Sequence, residues 1–249
     1  MTGLRRVRPR TTVDPARQTA YDALLAVELD DAYLNLALGA LLAERRITGR
    51  DAAFTTELAS GTARLQGTYD AILDSAVRGG VDALQPEVRI ALRLSVHQLL
   101  DMRVASHAAV TSGVELTRAA AGERPVRLAN AVLRKIADRS RDDWLAVVAP
   151  ARAMDLVGHL SVTYSHPRWV VQAFLDALDD DVEQVEALLA ADNVAPKVTL
   201  AVRPGLADVD QLVVAGAAPG RWSPYAAALS AGDPGALEQV RSGRAGVQD

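Results

Sequence analysis

The stretch Pro125-Val126-Arg127-Leu128-Ala129-Asn130-Ala131-Val132-Leu133-Arg134-Lys135-Ile136 decides the fold. Proline suits a helix start, because its φ is fixed near the helical value and its missing N–H has no helical partner in the first turn. Leu128, Val132, Leu133 and Ile136 recur at helical spacing and are expected to face a core, while Arg127, Arg134 and Lys135 face away. One apolar stripe needs other helices to cover it.

The same period repeats upstream. Asp14-Pro15 reads as an N-cap followed by a first-turn proline, and Ala20, Leu24, Leu25 and Val27 then share a face. Helices are predicted over 33–44 and 50–78. Gly61 and Gly67 mark a break or a close crossing inside the second. Pro86 opens a helix with the stripe Val88, Leu92, Val96 and Leu99, widened by Ala91, Leu94 and Ser95. Ser106 is expected to cap a segment reaching Ala121. Six or seven helices in roughly 140 residues make a compact all-α domain.

Downstream, helices are predicted over 142–148, 154–162, 166–178 and 182–191. The texture changes after 195: residues 196–249 hold 7 of the 17 glycines and 5 of the 11 prolines. Lys197 to Val202 reads as a strand, 207–214 as a short helix, 225–229 as a weak strand and 234–240 as a helix, with 244–249 at the end. That is a small α/β unit whose strand set the pattern leaves incomplete. The expected division is a basic flexible arm at 1–13, a helical domain at 14–140, a helical connector at 141–195 and the small unit at 196–249.

Composition narrows the function classes. Hydrophobic residues make up 49% and charged residues 23% of 249, which excludes a disordered or fibrous protein. There is no cysteine, so disulfides, thiolate metal sites and a Cys nucleophile are excluded. No apolar run approaches the ~18–20 residues of a membrane span, and no secretory signal follows Met1, so no membrane partner and a cytoplasmic location are expected. Net charge is −4, unevenly spread: +2 over residues 1–150 and −6 over 151–249.

Few residues suggest chemistry. Gly-x-Gly-x-x-Gly and the phosphate-loop pattern are absent. His97, His107, His159 and His166 lack helical metal-ligand spacing. His97 reads as a packed, hydrogen-bonded core residue and His166-Pro167 as a turn. Asp142-Asp143 and Asp179-Asp180-Asp181 read as carboxylates offsetting helix dipoles. No catalytic residue and no metal ligand is expected. The remaining candidates are cations: Arg5, Arg6, Arg8 and Arg10 in the arm, Arg64 beside the two glycines, and Arg134. Each reads either as a phosphate contact or as a solvated charge. Three Trp, five Tyr and two Phe do not signal a base-stacking surface, so contacts to phosphate and shape would dominate.

Several blocks resemble one family. They are Ala16-Arg17 with Leu24-Leu25-x-Val27, Glu57-Leu58-Ala-x-Gly61-x-x-Arg64, Pro86-x-Val88-Arg89-x-x-Leu92-Arg93-Leu94, His97-Gln98-Leu99-Leu100 and Asn130 to Ile136. In that order they resemble the NusB-type helical domain. Tyr164-Ser165-His166-Pro167-x-Trp169 and Asn193-x-x-Pro196-x-Val198-Thr199-Leu200-x-Val202 resemble the segment C-terminal to that domain in the bacterial ribosomal RNA small-subunit methyltransferase B family. The resemblance implies a NusB-like bundle, then a connector and an RRM-like unit, and a role in S-adenosylmethionine-dependent methylation of a cytosine C5 in 16S ribosomal RNA. It implies docking by Arg5, Arg6, Arg8, Arg10, Arg64 and Arg134. Asn130, expected to hold a helix junction, and His166, Pro167 and Trp169 are its structural motif residues.

The departures set limits. The family uses cysteine thiolates, and this chain has none and lacks a glycine-rich methyl-donor loop. The chain alone is therefore expected to be inactive and to hold no cofactor. S-adenosylmethionine is expected in a C-terminal methyltransferase domain lying beyond it, its second partner after 16S ribosomal RNA. Gly246-Val247-Gln248-Asp249 resembles the strand entry to that domain. Ala201 stands where the family strand commonly carries Arg. The alternative is a NusB-like transcription antitermination or protein-interaction factor.

Overall fold

A computed structural model describes residues 13–230, 232 and 234–248. The chain divides into two units that part between Asn193 and Val194.

The first unit is all helix. Its bundle comprises α1 (Pro15–Asp30), α2 (Leu34–Glu44), α3 (Gly49–Arg64), α4 (Gln66–Ala76), α5 (Pro86–Leu100), α6 (Ser106–Ala121) and α7 (Val126–Ala137). Asp14 caps α1 as expected, accepting from the Arg17 N–H at 3.0 Å. Ser106 is not a cap: Ala105 takes that position and Ser106 is the first helical residue.

Helix α5 is enclosed, with Ile90 to Gln98 buried without a break. On one side Val88, Leu92 and Val96 pack with Tyr69, Ile72 and Leu73 of α4 and Val132, Leu133 and Ile136 of α7. On the other, Ile90, Ala91 and Leu94 pack with α1, α2, α3 and α6 through Tyr21, Leu24, Leu38, Leu58 and Leu116. Enclosure forces its arginines into partnerships. Arg93 is 5% exposed and grips Asp70 of α4 with two bonds of 2.7 Å, with Glu28 of α1 at 3.3 Å. Arg89 pairs with Glu28 as well.

The stripe of α7 differs from the sequence expectation at one position. Leu128 is exposed and Ala129 is buried beside Val132, Leu133 and Ile136. At about 100° per residue, position 128 lies roughly 90° from the centre of that stripe.

Four helices follow: α8 (Arg141–Val148), α9 (Leu156–Tyr164), α10 (Arg168–Ala177) and α11 (Val182–Asp192). Ser140 and Asp143 form a capping box on α8. Trp144 of α8 inserts into the bundle core and donates its indole N–H to the Ile136 carbonyl at 3.0 Å. Helices α9, α10 and α11 share a core of Leu160, Val171, Leu175, Val185 and Leu189.

The second unit runs β1 (Val198–Val202), α12 (Val209–Val214), β2 (Ala217–Pro219), β3 (Ala226–Leu229), α13 (Glu238–Arg241) and β4 (Ala245–Gln248). A short 3-10 turn, Pro234–Ala236, leads into α13. The sheet order is β2-β3-β1-β4, all antiparallel. This is the split βαββαβ topology of ferredoxin-like and RRM-like folds, with all four strands present. Gly246, Val247 and Gln248, from the segment resembling a strand entry to another domain, lie in β4 and pair with β1 (Val202 opposite Ala245, Thr199 opposite Gln248), while Asp249 lies outside the described residues. Strand β2 escaped the sequence reading because Ala-Ala-Pro lacks β-branched residues, and its proline is tolerated on an edge strand.

Candidate nucleic-acid interface

The sequence places a cation-rich face on α7 and the fold leaves it uncovered. Arg127, Arg134 and Lys135 are exposed, opposite the buried stripe. Among the described residues none of the three makes an ion pair. Arg134 donates from Nε to the Asn130 amide oxygen at 3.3 Å, one helical turn away. Asn130 therefore orients an exposed guanidinium within its own helix; no helix junction is made through that bond. Lys135 donates to the Ser75 carbonyl at the end of α4, 2.9 Å away, which fixes its ammonium against the bundle surface. Arg127 and Lys135 belong with Arg134, and their shared helix face was the signal in the sequence.

Arg64 ends α3, half-buried, and makes no ion pair among the described residues. It lies near a buried polar cluster around His97. The Tyr69 hydroxyl donates to Asp101 at 2.7 Å and lies 2.7 Å from His97 Nδ1. Because that hydroxyl has one proton, Nδ1 carries the imidazole hydrogen. The opposite nitrogen, Nε2, has no hydrogen-bond partner among the described residues and lies 3.7 Å from a Glu57 carboxylate oxygen. Burial pushes the His97 pKa down to about 4, against the pull of Asp101, with Arg64 and Arg141 adding to the depression. Burial, reinforced by Asp101, likewise pushes the Tyr69 hydroxyl up. Both are neutral near pH 7. Gly61 makes this packing possible: a Cβ there would lie 2.3 Å from Nε2.

The Ser165-His166-Pro167-Trp169 block works as a clasp. Ser165 adopts a left-handed conformation (φ 58°) at the end of α9, and its hydroxyl accepts from the Gly67 N–H at 2.9 Å. Thr68 returns a bond from its hydroxyl to the Val162 carbonyl at 2.6 Å. These bonds satisfy an orphan first-turn donor of α4 and tie α9 to the bundle. The helix is interrupted at Leu65, between α3 and α4, and both glycines mark close crossings. His166 donates from Nδ1 to the Tyr164 carbonyl at 2.7 Å, and Pro167 precedes α10. Trp169 is 74% exposed on the first turn of α10, so the indole holds no core. Arg5, Arg6, Arg8 and Arg10 lie outside the described residues.

The open face of the small sheet carries Thr199, Ala201, Ala226, Ala228 and Gly246, alternating with Leu200, Val202 and Ala227 in the core. It has no aromatic ring on which a base could stack.

The groove between α12 and α13 does not fit S-adenosylmethionine. That groove, about 460 Å³, is open, and its arginine, Arg244, is paired with Glu238. Among the described residues no cluster of three or more His, Asp or Glu could hold a metal ion, and no helix is long and apolar enough to cross a membrane.

The class is thus a helical bundle with an uncovered cationic helix face, carrying a ferredoxin-like unit after it in the chain. The NusB family model matches residues 14–138, and the chain belongs to the NusB family. A putative methyltransferase of Mycobacterium tuberculosis (strain H37Rv) is 46% identical over 247 residues, covering 96% of this chain and 53% of that protein. The probable ribosomal RNA small subunit methyltransferase B of Bacillus subtilis is 27% identical over 198 residues, covering 79% of this chain and 42% of that one. The solved structure of PH0851 shares the fold, with a TM-score of 0.69 at 14% identity over 95% of this chain and 53% of that chain. The chain spans about half the length of the methyltransferase relatives it matches.

Proposed function

We propose that this chain is the RNA-docking part of an S-adenosylmethionine-dependent methyltransferase that acts on a cytosine C5 of 16S ribosomal RNA. The observation that carries the reading is the uncovered face of α7, where Arg127, Arg134 and Lys135 have no carboxylate partner among the described residues. Cations so placed neutralise phosphates and release counterions. With no aromatic ring among them, they recognise folded RNA through its backbone and shape. Arg64 and the four arm arginines extend the same attraction. Alkylation, and the methyl donor with it, is assigned to the half of the relatives that this chain does not span, and the second unit packs against that half. The similarity to the mycobacterial methyltransferase runs through both units, which favours this reading over a stand-alone antitermination factor.

The test is the salt dependence of binding to a 16S ribosomal RNA hairpin, read by fluorescence anisotropy. Each lost phosphate contact lowers the slope of log K against log salt by about 0.7–0.9. Replacing Arg127, Arg134 and Lys135 by Gln is expected to flatten it by roughly 2, and replacing Arg5, Arg6, Arg8 and Arg10 by a further roughly 3. Unchanged slopes in both variants refute the assignment.

A further inference from the structure

The loop joining β2 to β3 reads Gly220-Arg221-Trp222-Ser223-Pro224-Tyr225. Trp222 is 85% exposed and Tyr225 51% exposed, in a chain with only ten aromatic residues besides histidine. An exposed indole is an uncommon use of so scarce a residue. The Arg221 guanidinium stacks over the Trp222 ring, 4.4 Å from its centroid.

The loop is held rather than loose. The Gly220 N–H donates to the Ala226 carbonyl at 2.7 Å and closes it. The Ala226 N–H donates to the Ser223 carbonyl at 3.2 Å, and the Ser223 hydroxyl accepts from the Tyr225 N–H at 3.2 Å. Gly220 is needed for this closure, since a Cβ there would lie 2.6 Å from the Ala226 Cβ.

The sheet brings further cations to the same end. The Val202 N–H donates to the Tyr225 carbonyl, and the Arg203 N–H to the Arg244 carbonyl, each at 2.9 Å. The end of β1, the start of β3 and the start of β4 therefore meet beside the loop. Of the five Lys and Arg residues in 194–249, Arg203, Arg221, Arg241 and Arg244 lie at or next to this end. Arg203 and Arg221 are exposed and make no ion pair among the described residues.

We infer that this end of the second unit binds a single-stranded RNA segment, with unstacked bases laid on Trp222 and Tyr225 and phosphates met by Arg203 and Arg221. That the polynucleotide is RNA rests on the function proposed above. Flat aromatic faces recognise bases only where those are free of a duplex stack, which selects single strands. The stacked guanidinium extends the platform and carries the charge a phosphate needs. The site lies at the sheet's end, away from the open face, whose alanines, threonine and glycine offer no ring.

The test uses the full chain with two fluorescein-labelled probes: a 12-nucleotide oligouridylate and a blunt RNA hairpin without unpaired tails. Trp222→Ala and Tyr225→Ala are each expected to weaken oligouridylate binding about 5- to 100-fold. The hairpin should bind as before, and Trp169→Ala, which removes the other exposed indole, should leave both affinities unchanged. Arg221→Ala should also flatten the salt slope for oligouridylate by about 0.7. Wild-type affinity for oligouridylate in both aromatic variants, or no binding of it by the wild type, overturns the inference. Loss of hairpin binding in the α7 variant tests the helical face separately, so each reading can fail alone. Because Trp222 is exposed, circular dichroism melting of Trp222→Ala should match the wild type.

Discussion

Acidification provides a quantitative check on the buried cluster that organises the helical unit. His97 is 2% exposed, and burial pushes its pKa down to about 4 from an ordinary 6.5. The groups facing it are Glu57 and Arg64 from α3, Tyr69 from α4, Asp101 just past the end of its own helix and Arg141 from α8. In the unfolded chain the imidazole takes a proton as pH falls through 6.5; in the folded chain it resists until about 4. Over that window the unfolded state binds more protons, so stability is complete above 6.5 and is lost as pH falls towards 4. The 2.5-unit difference is worth about 3 kcal/mol in full, and about 2 kcal/mol at pH 5. For a unit of this size that is a drop of roughly 4–8 °C in melting temperature. His97→Gln removes the titrating group. Urea titrations of wild type and variant from pH 7.5 to 4.5 should show the stability gap between them narrowing by about 2 kcal/mol by pH 5. Parallel curves would refute the burial argument.

Other perturbations test the packing. Asp70→Asn should destabilise by roughly 3 kcal/mol or more, because Arg93 would be left as a buried charge with Glu28 as its remaining carboxylate; a denaturation midpoint within error of wild type would contradict it. Gly113→Ala places a Cβ 2.2 Å from the Ser95 hydroxyl and 2.8 Å from Leu133 Cδ1, so a loss of about 1–3 kcal/mol is expected. Gly39→Ala, in the middle of α2 with nothing within 4 Å, should instead raise the melting temperature, by the roughly 1 kcal/mol that alanine gains over glycine in a helix.

Helix positions were legible because apolar periodicity is a property of a single helix. The cap at Asp14, the stripe of α5 and the helix from Val126 follow from residues a few positions apart. Where the outcome depended on residues far along the chain, the sequence was mute. Gly61 and Gly67 announced a close approach, but not that His97 and Ser165 would make it. Strand β2 exists because β3 pairs with it, and Ala217-Ala218-Pro219 carries no signal of its own.

The candidate site divides along the same line. As residue types, Arg89 and Arg93 on α5 are indistinguishable from Arg127 and Arg134 on α7. Helix α5 is enclosed, so any guanidinium it carries must find a carboxylate or leave a charge buried at a cost of several kcal/mol. Asp70 and Glu28 meet that need, which leaves Arg93 nothing to offer a phosphate. Helix α7 has one packed side and one free, so its cations keep much of their hydration and make no ion pair among the described residues. An arginine is thus available to RNA only where the packing leaves its helix a bare side, and only the assembled bundle determines which helix that is. The same test applies at the sheet's end: Arg244, bonded to Glu238, is spent, while Arg203 and Arg221 are not. Replacing Arg244 should therefore disturb α13 before it disturbs any nucleic-acid contact.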